Sequence, residues 1–225
     1  MTETGKGQGF YDIRDALMRL IQERRQSHTY DMPSEYNLAE YFGVSRSLIR
    51  SVYQQLVELG YLESHQGRGY FICQCLPTVH LVLRGDQSFT QKMIAQGYAY
   101  ESRQLPITQD AHAYYFTRLR IIDKIPMAIH RTRLGKNIFP HFPQEIGEET
   151  SLFAYLAKKG FEGFDSTYSR LLTQIPDQEM SRLLHCPSLT SLLLLETNTI
   201  DVLTQQELGQ NQIFYRSDMV TFVLK

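Results

Sequence analysis

Residues 33–72 read PSEYNLAEYFGVSRSLIRSVYQQLVELGYLESHQGRGYFI. Ser34 stands where a helix N-cap is expected, Leu38, Ala39 and Phe42 follow at helical spacing, and Gly43 suits the left-handed residue that ends a short helix. Ser45 can cap a second helix, in which Ile49, Val52, Tyr53, Leu56 and Leu59 recur at i, i+3, i+4 and i+7 and so face a core. The opposite face then carries Arg46, Ser47, Arg50 and Gln54, with the two arginines one turn apart near the helix N-terminus. A guanidinium fork can bond O6 and N7 of guanine together, or grip a phosphate. Gly60 closes this helix, and the apolar runs Tyr61-Leu62 and Tyr70-Phe71-Ile72 flank His65-Gln66-Gly67-Arg68-Gly69, a hairpin with a small basic tip. Taken alone, an arginine pair is a solvated surface and a glycine hairpin is a turn. In this order they spell a winged helix-turn-helix, whose expected partner is double-stranded DNA.

Upstream, Phe10, Ile13, Ala16, Leu17, Leu20 and Ile21 have helical spacing and predict a first helix of the same unit. Downstream, Cys73 to Thr78, with Pro77, reads as a linker, and the texture then changes. Val79 to Leu83, Ala113 to Ile122, Ile125 to Leu134 and Leu192 to Leu195 predict strands, whereas Ser151 to Lys159 and Asp177 to Leu184 predict helices. The fold class expected is α+β: a winged helix-turn-helix over 1–73, a linker over 74–78, and an antiparallel sheet with helices packed on it over 79–225.

Composition narrows the setting. With 225 residues the chain can bury one or two cores. It has no apolar run of about 18 residues, so no membrane partner is expected, and its start, MTETGKGQGF, lacks an apolar signal segment, which predicts a cytoplasmic protein. Cys73, Cys75 and Cys186 are too few for a disulfide framework, and Cys73-Gln-Cys75 has no second ligand pair at zinc spacing, so neither metal nor cofactor is expected. Charge argues against indiscriminate DNA binding. Residues 1–75 hold eight basic and nine acidic side chains, and the remainder holds fifteen of each. Affinity must therefore rest on local arginines, helix N-termini and pairing of subunits.

The 33–72 segment resembles the DNA-binding domain of the GntR family of transcription regulators. The shared motifs are Pro33-Ser34-Glu35, Leu38-Ala39, Phe42 to Arg46, Arg50, Leu56 to Gly60, and Gln66 to Gly69. The resemblance implies DNA contacts from Ser34, Glu35, Tyr36, Ser45, Arg46, Ser47, Arg50, Gln66, Gly67, Arg68 and Gly69, although the family usually carries arginine at the position of Tyr36. The remainder resembles the UTRA effector-binding domain of the HutC branch, whose fold is similar to that of chorismate lyase. Five motifs appear in family order: Ser88-Phe89-Thr90 with Met93, Thr117 to Arg120, Ile125 to Ile129, Ser151-Leu152-Phe153, and Tyr215 to Asp218.

Arg118 and Arg120 alternate on a predicted strand, so both leave the same face and need either an anion or carboxylates between them. In relatives that sense phosphorylated sugars, the positions of Thr90, Arg118, Arg120 and Ser151 hold the anionic group, and Ser88, Phe89 and Tyr215 complete the implied pocket. Two positions depart from that pattern. His130 and Gly209 stand where glutamates are usual, with Glu207 read as a substitute on the same strand face and Arg131 and Arg133 as further positive charge beside His130. The resemblance thus implies a homodimeric, ligand-responsive regulator, probing a palindromic operator as a repressor and released by a small anionic metabolite. Two alternatives stay open: a DNA-binding dimer whose pocket no longer works, and an enzyme of chorismate-lyase-like fold with a DNA-binding appendage. The sequence shows no nucleophile, base and orienting acid at informative spacing to favour the enzyme.

Overall fold

Three helices and a hairpin build the first unit. In the computed structural model, which describes residues 9–73, 78–82, 89, 93–94, 96–147 and 151–223, helix α1 spans Phe10–Gln26, α2 spans Glu35–Phe42 and α3 spans Arg46–Glu58. Ser34 caps α2 by accepting from Asn37 N at 3.2 Å, and Ser45 caps α3 by accepting from Leu48 N at 3.3 Å. Gly43 ends α2 with φ of 65°, so the turn between the two helices has the left-handed residue that its glycine allows. Ile13, Leu17 and Ile21 of α1 pack with Ile49, Val52, Tyr53 and Leu56 of α3, each removed from solvent. The apolar stripe of α3 is therefore spent inside, which leaves its arginine face outward. Strands β1 (Leu62–His65) and β2 (Gly69–Ile72) form the wing, and an isolated bridge from Asp31 to Phe71 ties the segment before α2 to it.

The chain divides into two compact units, residues 1–76 with 186–190, and residues 77–185 with 191–223 among those described. The second unit is built on an eight-stranded antiparallel sheet. Its strands are β4 (Tyr100–Gln104), β5 (Thr108–Gln109), β6 (Ala113–Ile122), β7 (Ile125–Gly135), β8 (Phe164–Asp165), β9 (Ser169–Gln174), β10 (Leu192–Asp201) and β11 (Glu207–Arg216). The main path runs β4-β6-β7-β11-β10-β8, with β5 on β6 and β9 on β10. A separate parallel pair joins β3 (Val79–Val82) to β12 (Val220–Val223), a pairing that the sequence reading does not contain. Helices α4 (Phe142–Glu145) and α5 (Leu152–Lys158) bring Phe142, Ile146, Tyr155 and Leu156 onto Phe116, Leu134 and Leu208 of one sheet face. Helix α6 (Gln178–Leu184) is capped by Asp177 and contributes Met180 and Leu184 to buried surface. Arg216 and Asp218, two members of the last motif, pair at 2.7 Å, and Arg216 also donates to the carbonyl of Leu184 at the end of α6. That motif holds a helix to the sheet.

The hairpin from β6 to β7 turns on two residues, Asp123 and Lys124, with φ of 49° and 68°. Both residues in the left-handed region make the tight turn whose twist matches that of the flanking strands. Asp123 is held further by backbone and side-chain bonds to Ala99, at 2.9 and 3.2 Å. A β-branched residue tolerates this backbone poorly. Lys124→Val should therefore lower stability to denaturant by roughly 1–2 kcal/mol, with Lys124→Asn near neutral, as read from chemical unfolding curves.

Candidate DNA interface and effector pocket

Arg46, Ser47, Arg50 and Gln54 lie exposed along α3, on the side away from Ile49, Val52 and Tyr53. Gln66, Gly67, Arg68 and Gly69 form the exposed tip of the wing, with φ of 75° at Gly67 and 104° at Gly69. Arg68 leans over the ring of Phe71 at 5.4 Å, so its charge is carried at the wing and not buried by it. Tyr36 is 61% exposed at the start of α2, in the place of the family arginine. The hydroxyls of Ser34 and Ser45 are engaged in capping, which positions backbone N–H groups at both helix starts.

Glu35 has a role that the sequence reading does not assign. Its carboxylate accepts from Arg50 Nε at 3.1 Å and from Arg50 Nη2 at 2.8 Å, sits 3.9 Å from Arg46 Nη2, and accepts the Tyr70 hydroxyl at 3.2 Å. The Arg50 bonds and then its charge outweigh burial and hold the Glu35 carboxyl below its ordinary range. Tyr70 in turn stacks on Tyr53 with ring centroids 4.3 Å apart, and Tyr53 donates to the carbonyl of Pro33 at 2.6 Å. One acidic side chain thus links α2, the recognition helix and the wing. It fixes Arg50 and lies beside Arg46; a carboxylate facing phosphates directly would repel them.

In the second unit, strand register sets the site. Arg118 pairs with His130 across β6 and β7, and with Gln104 of β4; Arg120 pairs with Ala128 and with Ser102. Arg118, Arg120, His130, Ser102 and Gln104 therefore share one face. Arg120 is buried, lies over the ring of Phe89 at 4.1 Å, donates to the Tyr100 hydroxyl at 3.2 Å and bonds His130 Nδ1. A guanidinium cannot accept, so Nδ1 is the bare nitrogen and Nε2 carries the proton that Asn211 Oδ1 accepts at 3.1 Å. Burial, then the charge of Arg120, keeps His130 neutral far below its ordinary titration range. Asn211 also accepts from Thr132 at 2.8 Å and donates to Thr199 at 3.0 Å. The Arg118 side chain forms no hydrogen bond or ion pair among the described residues; burial and Arg120 both oppose its charge, and the Phe116 ring lies 5.7 Å from it. Tyr215 closes this face beside Phe89, with ring centroids 6.4 Å apart.

Several expectations need correction. Glu207 does not substitute for a carboxylate at Gly209: a bulge between Thr199 and Ile200 on β10 leaves Leu208 unpaired on β11, and Glu207 then bonds Asn198 and Gln210, on the opposite face from Asn211. Nor does Gly209 leave room for a side chain, since a Cβ there would meet Thr132 and Leu134 at 3.1 Å. Arg131 and Arg133 pair with Thr117 and Tyr115, so they also leave the opposite face from His130. There they line a cleft of about 290 Å³ with Arg170 and Glu196, which are bonded to each other at 2.7 Å. Ser151 is the N-cap of α5 and its side chain makes no cap bond; no bond or ring contact joins it to Arg118 or Arg120 among the described residues. Ser88 and Thr90 lie outside the described residues. Sequence reasoning missed Asn211, Thr132, Tyr100, Ser102 and Gln104, because a polar residue on a half-buried strand carries no period that separates a site from solvent.

The profile of the UTRA domain matches residues 98–220, and that of the bacterial regulatory proteins of the gntR family matches residues 11–72. The chain belongs to the GntR regulators that carry a UTRA domain. It is similar to the HTH-type transcriptional repressor NagR of Bacillus subtilis, 30% identical over 155 residues that take in 62% of this chain and 60% of NagR. Against the mannosyl-D-glycerate transport/metabolism system repressor MngR of Escherichia coli, identity is 26%, with 78% of each chain covered. The repressor PhnF of Mycolicibacterium smegmatis is 25% identical, covering 93% of this chain and 89% of PhnF. A crystal structure of PhnF superposes with a TM-score of 0.59 at 23% identity, over 94% of this chain and 97% of that one, which shows a common fold. The protein is thus a DNA-binding transcriptional repressor of the GntR/HutC type and not an enzyme, and no described helix is long and apolar enough to cross a membrane.

As a GntR regulator it should depend on Glu35 through Arg50. Glu35→Gln should weaken operator binding roughly three- to tenfold in a band shift, about one charge-assisted hydrogen bond. Because the native carboxyl titrates below its ordinary value of 4.5, its contribution to stability is present above that pH and disappears as pH falls through the native value. The gap in unfolding midpoint between wild type and Glu35→Gln should close in the same direction.

His130 behaves in a parallel way within the UTRA domain. Its native titration lies well below 6.5, so the unfolded chain takes up a proton first and stability declines as pH drops below that value. In His130→Gln this part of the decline should be absent, which melting curves between about pH 5 and 7.5 would show.

Proposed function

We propose that the protein works as a homodimer on a palindromic operator and that a small anionic metabolite seated on Arg118 and Arg120 releases it. In this reading residues 1–73 bind DNA, 74–78 link, and 79–225 bind effector and pair the subunits. The single observation that carries the effector site is the arginine pair itself. Two arginines alternate on one sheet face, Arg120 buried and Arg118 half-buried, and no carboxylate pairs with either among the described residues. Like charges held together in a poorly solvated place raise the energy of the empty site. A phosphate or carboxylate would relieve that and meet planar donors that suit it.

His130 fits this reading as a neutral stand-in for a carboxylate. It occupies one Arg120 nitrogen without cancelling the charge, so the pair keeps its full attraction for an anion. The name of MngR refers to the system for mannosyl-D-glycerate, an acid rich in hydroxyls, which is in keeping with an anionic effector here. Release then follows if the anion prefers the arrangement of the dimer that cannot span both half-sites, about one helical turn apart. A complete switch takes roughly a 10⁴-fold preference, about 5.5 kcal/mol.

The two faces should separate by mutation. Arg46→Ala or Arg50→Ala should abolish the band shift of an operator fragment of about 40 base pairs while leaving anion binding by calorimetry intact. Arg118→Ala should do the reverse: operator binding kept, anion binding and anion-induced release lost. Retained anion binding in Arg118→Ala would sink the assignment of the effector site.

A further inference from the structure

We propose that Ser102 and Gln104 of β4 contact the effector and select an anion that bears hydroxyls in preference to one that bears an ammonium group. This rests on the reading of Arg118 and Arg120 as the anion site. Register brings the four together: Ser102 stands beside Arg120 and Gln104 beside Arg118 on the same sheet face. Three polar atoms there, Ser102 Oγ, Gln104 Oε1 and Arg120 Nε, are removed from solvent and have no hydrogen-bond partner among the described residues. Native folds seldom leave such atoms unpaired, and three on neighbouring strands of one face mark a place that a ligand completes.

Their chemistry says which ligand. Arg120 Nε–H only donates and calls for an anionic oxygen, whereas Gln104 Oε1 only accepts and calls for a donor; Ser102 Oγ can do either. The bound molecule must therefore present acid oxygens and, a few ångströms away, O–H or N–H groups. An ammonium group would supply the donors but not the environment. Arg118 and Arg120 supply two positive charges, His130 is neutral, and Asn211 offers an amide where a carboxylate would be needed. Glu207, the nearest candidate acid along β11, faces the other side with Asn198 and Gln210. A cation placed here would meet repulsion with no compensating acid among the described residues, so neutral hydroxyls remain as the partners of β4.

The test uses the full-length protein and isothermal calorimetry with matched probes: succinate against malate, and inorganic phosphate against glucose 6-phosphate and glucosamine 6-phosphate. Wild type is expected to favour malate over succinate and glucose 6-phosphate over both other phosphates, by roughly three- to tenfold for each hydrogen bond gained. In Ser102→Ala and Gln104→Leu that preference should shrink towards one while succinate and phosphate bind as before; in Arg118→Ala every probe should weaken. If Gln104→Leu does not fold, Gln104→Glu should weaken all the anions about tenfold by pairing with Arg118. An unchanged hydroxyl preference in both β4 variants, with Arg118→Ala still weakening every probe, would overturn the role of β4 and leave the anion site standing. Binding of glucosamine 6-phosphate as tight as that of glucose 6-phosphate would overturn the exclusion of ammonium. No binding of any probe to wild type would remove the anion site and this inference with it.

Discussion

The sheet of the second unit depends on the phase of one hairpin, β6 with β7. The two-residue turn at Asp123 and Lys124 pairs Ile122 with Ile125 and Ile121 with Pro126, and then the register shifts. Arg120 pairs with Ala128 and not Met127, so one extra residue, Met127, sits in β7 opposite no partner. Side chains alternate with a period of two, so that single residue decides which half of β7 shares a face with Arg118 and Arg120. Without the bulge, Arg131 and Arg133 would join them, and four guanidinium groups would crowd one surface. With it, His130 arrives instead, and the other two arginines move to the far side.

A second bulge, on β11, does the same for acid. Leu208 turns into the apolar core with Tyr114, Phe116 and Leu134, and this carries Glu207 across to the face of Asn198 and Gln210. Gly209 is left against Thr132 and Leu134, too close for a side chain. Together the two bulges carry Glu207, Arg131 and Arg133 away from the face of Arg118 and Arg120. The resulting surface keeps two arginines together, which suits the anion proposed to bind there. The buried Arg120 guanidinium persists because hydrogen bonds to Tyr100 and His130, and the ring of Phe89, replace part of its lost hydration.

What could be read in advance follows from the range of each signal. The winged helix-turn-helix was legible because its determinants are local: Ser34 and Ser45 at caps, Gly43 with φ of 65°, an apolar stripe on α3, and glycines at the wing. Strands Ala113–Ile122 and Ile125–Gly135 were legible for the same reason, down to a residue at their ends. The Arg118 and Arg120 alternation also survives, since it needs only one uninterrupted strand. Whatever depended on phase across strands did not survive: Glu207, and the company of Arg131 and Arg133, were misjudged because a bulge leaves no mark in composition. The polar cluster of Ser102, Gln104, Thr132 and Asn211 was invisible for a related reason. Each residue is ordinary alone, and only the register shows that they face two arginines.

The DNA unit meets a similar problem of charge by a different route. Its acidic residues outnumber its basic ones, so bulk phosphate attraction is weak and a few groups must serve. Glu35 looks at first like a further handicap, an acid beneath the recognition helix. Its position argues otherwise: with only 14% of its side chain exposed, while Arg46 and Arg50 are about 60% exposed, it anchors the guanidinium stems and leaves free N–H groups pointing outward. Fixing a long side chain before binding lowers the entropy lost when it meets a base or phosphate. A chain poor in net positive charge gains more from orienting two arginines than from adding a third. In both units, then, arginines are held by a neighbour, Glu35 in one and neutral His130 in the other; on the proposed reading the first partner can be an acid because it lies behind the DNA-facing surface, and the second is neutral because it lies within the anion site.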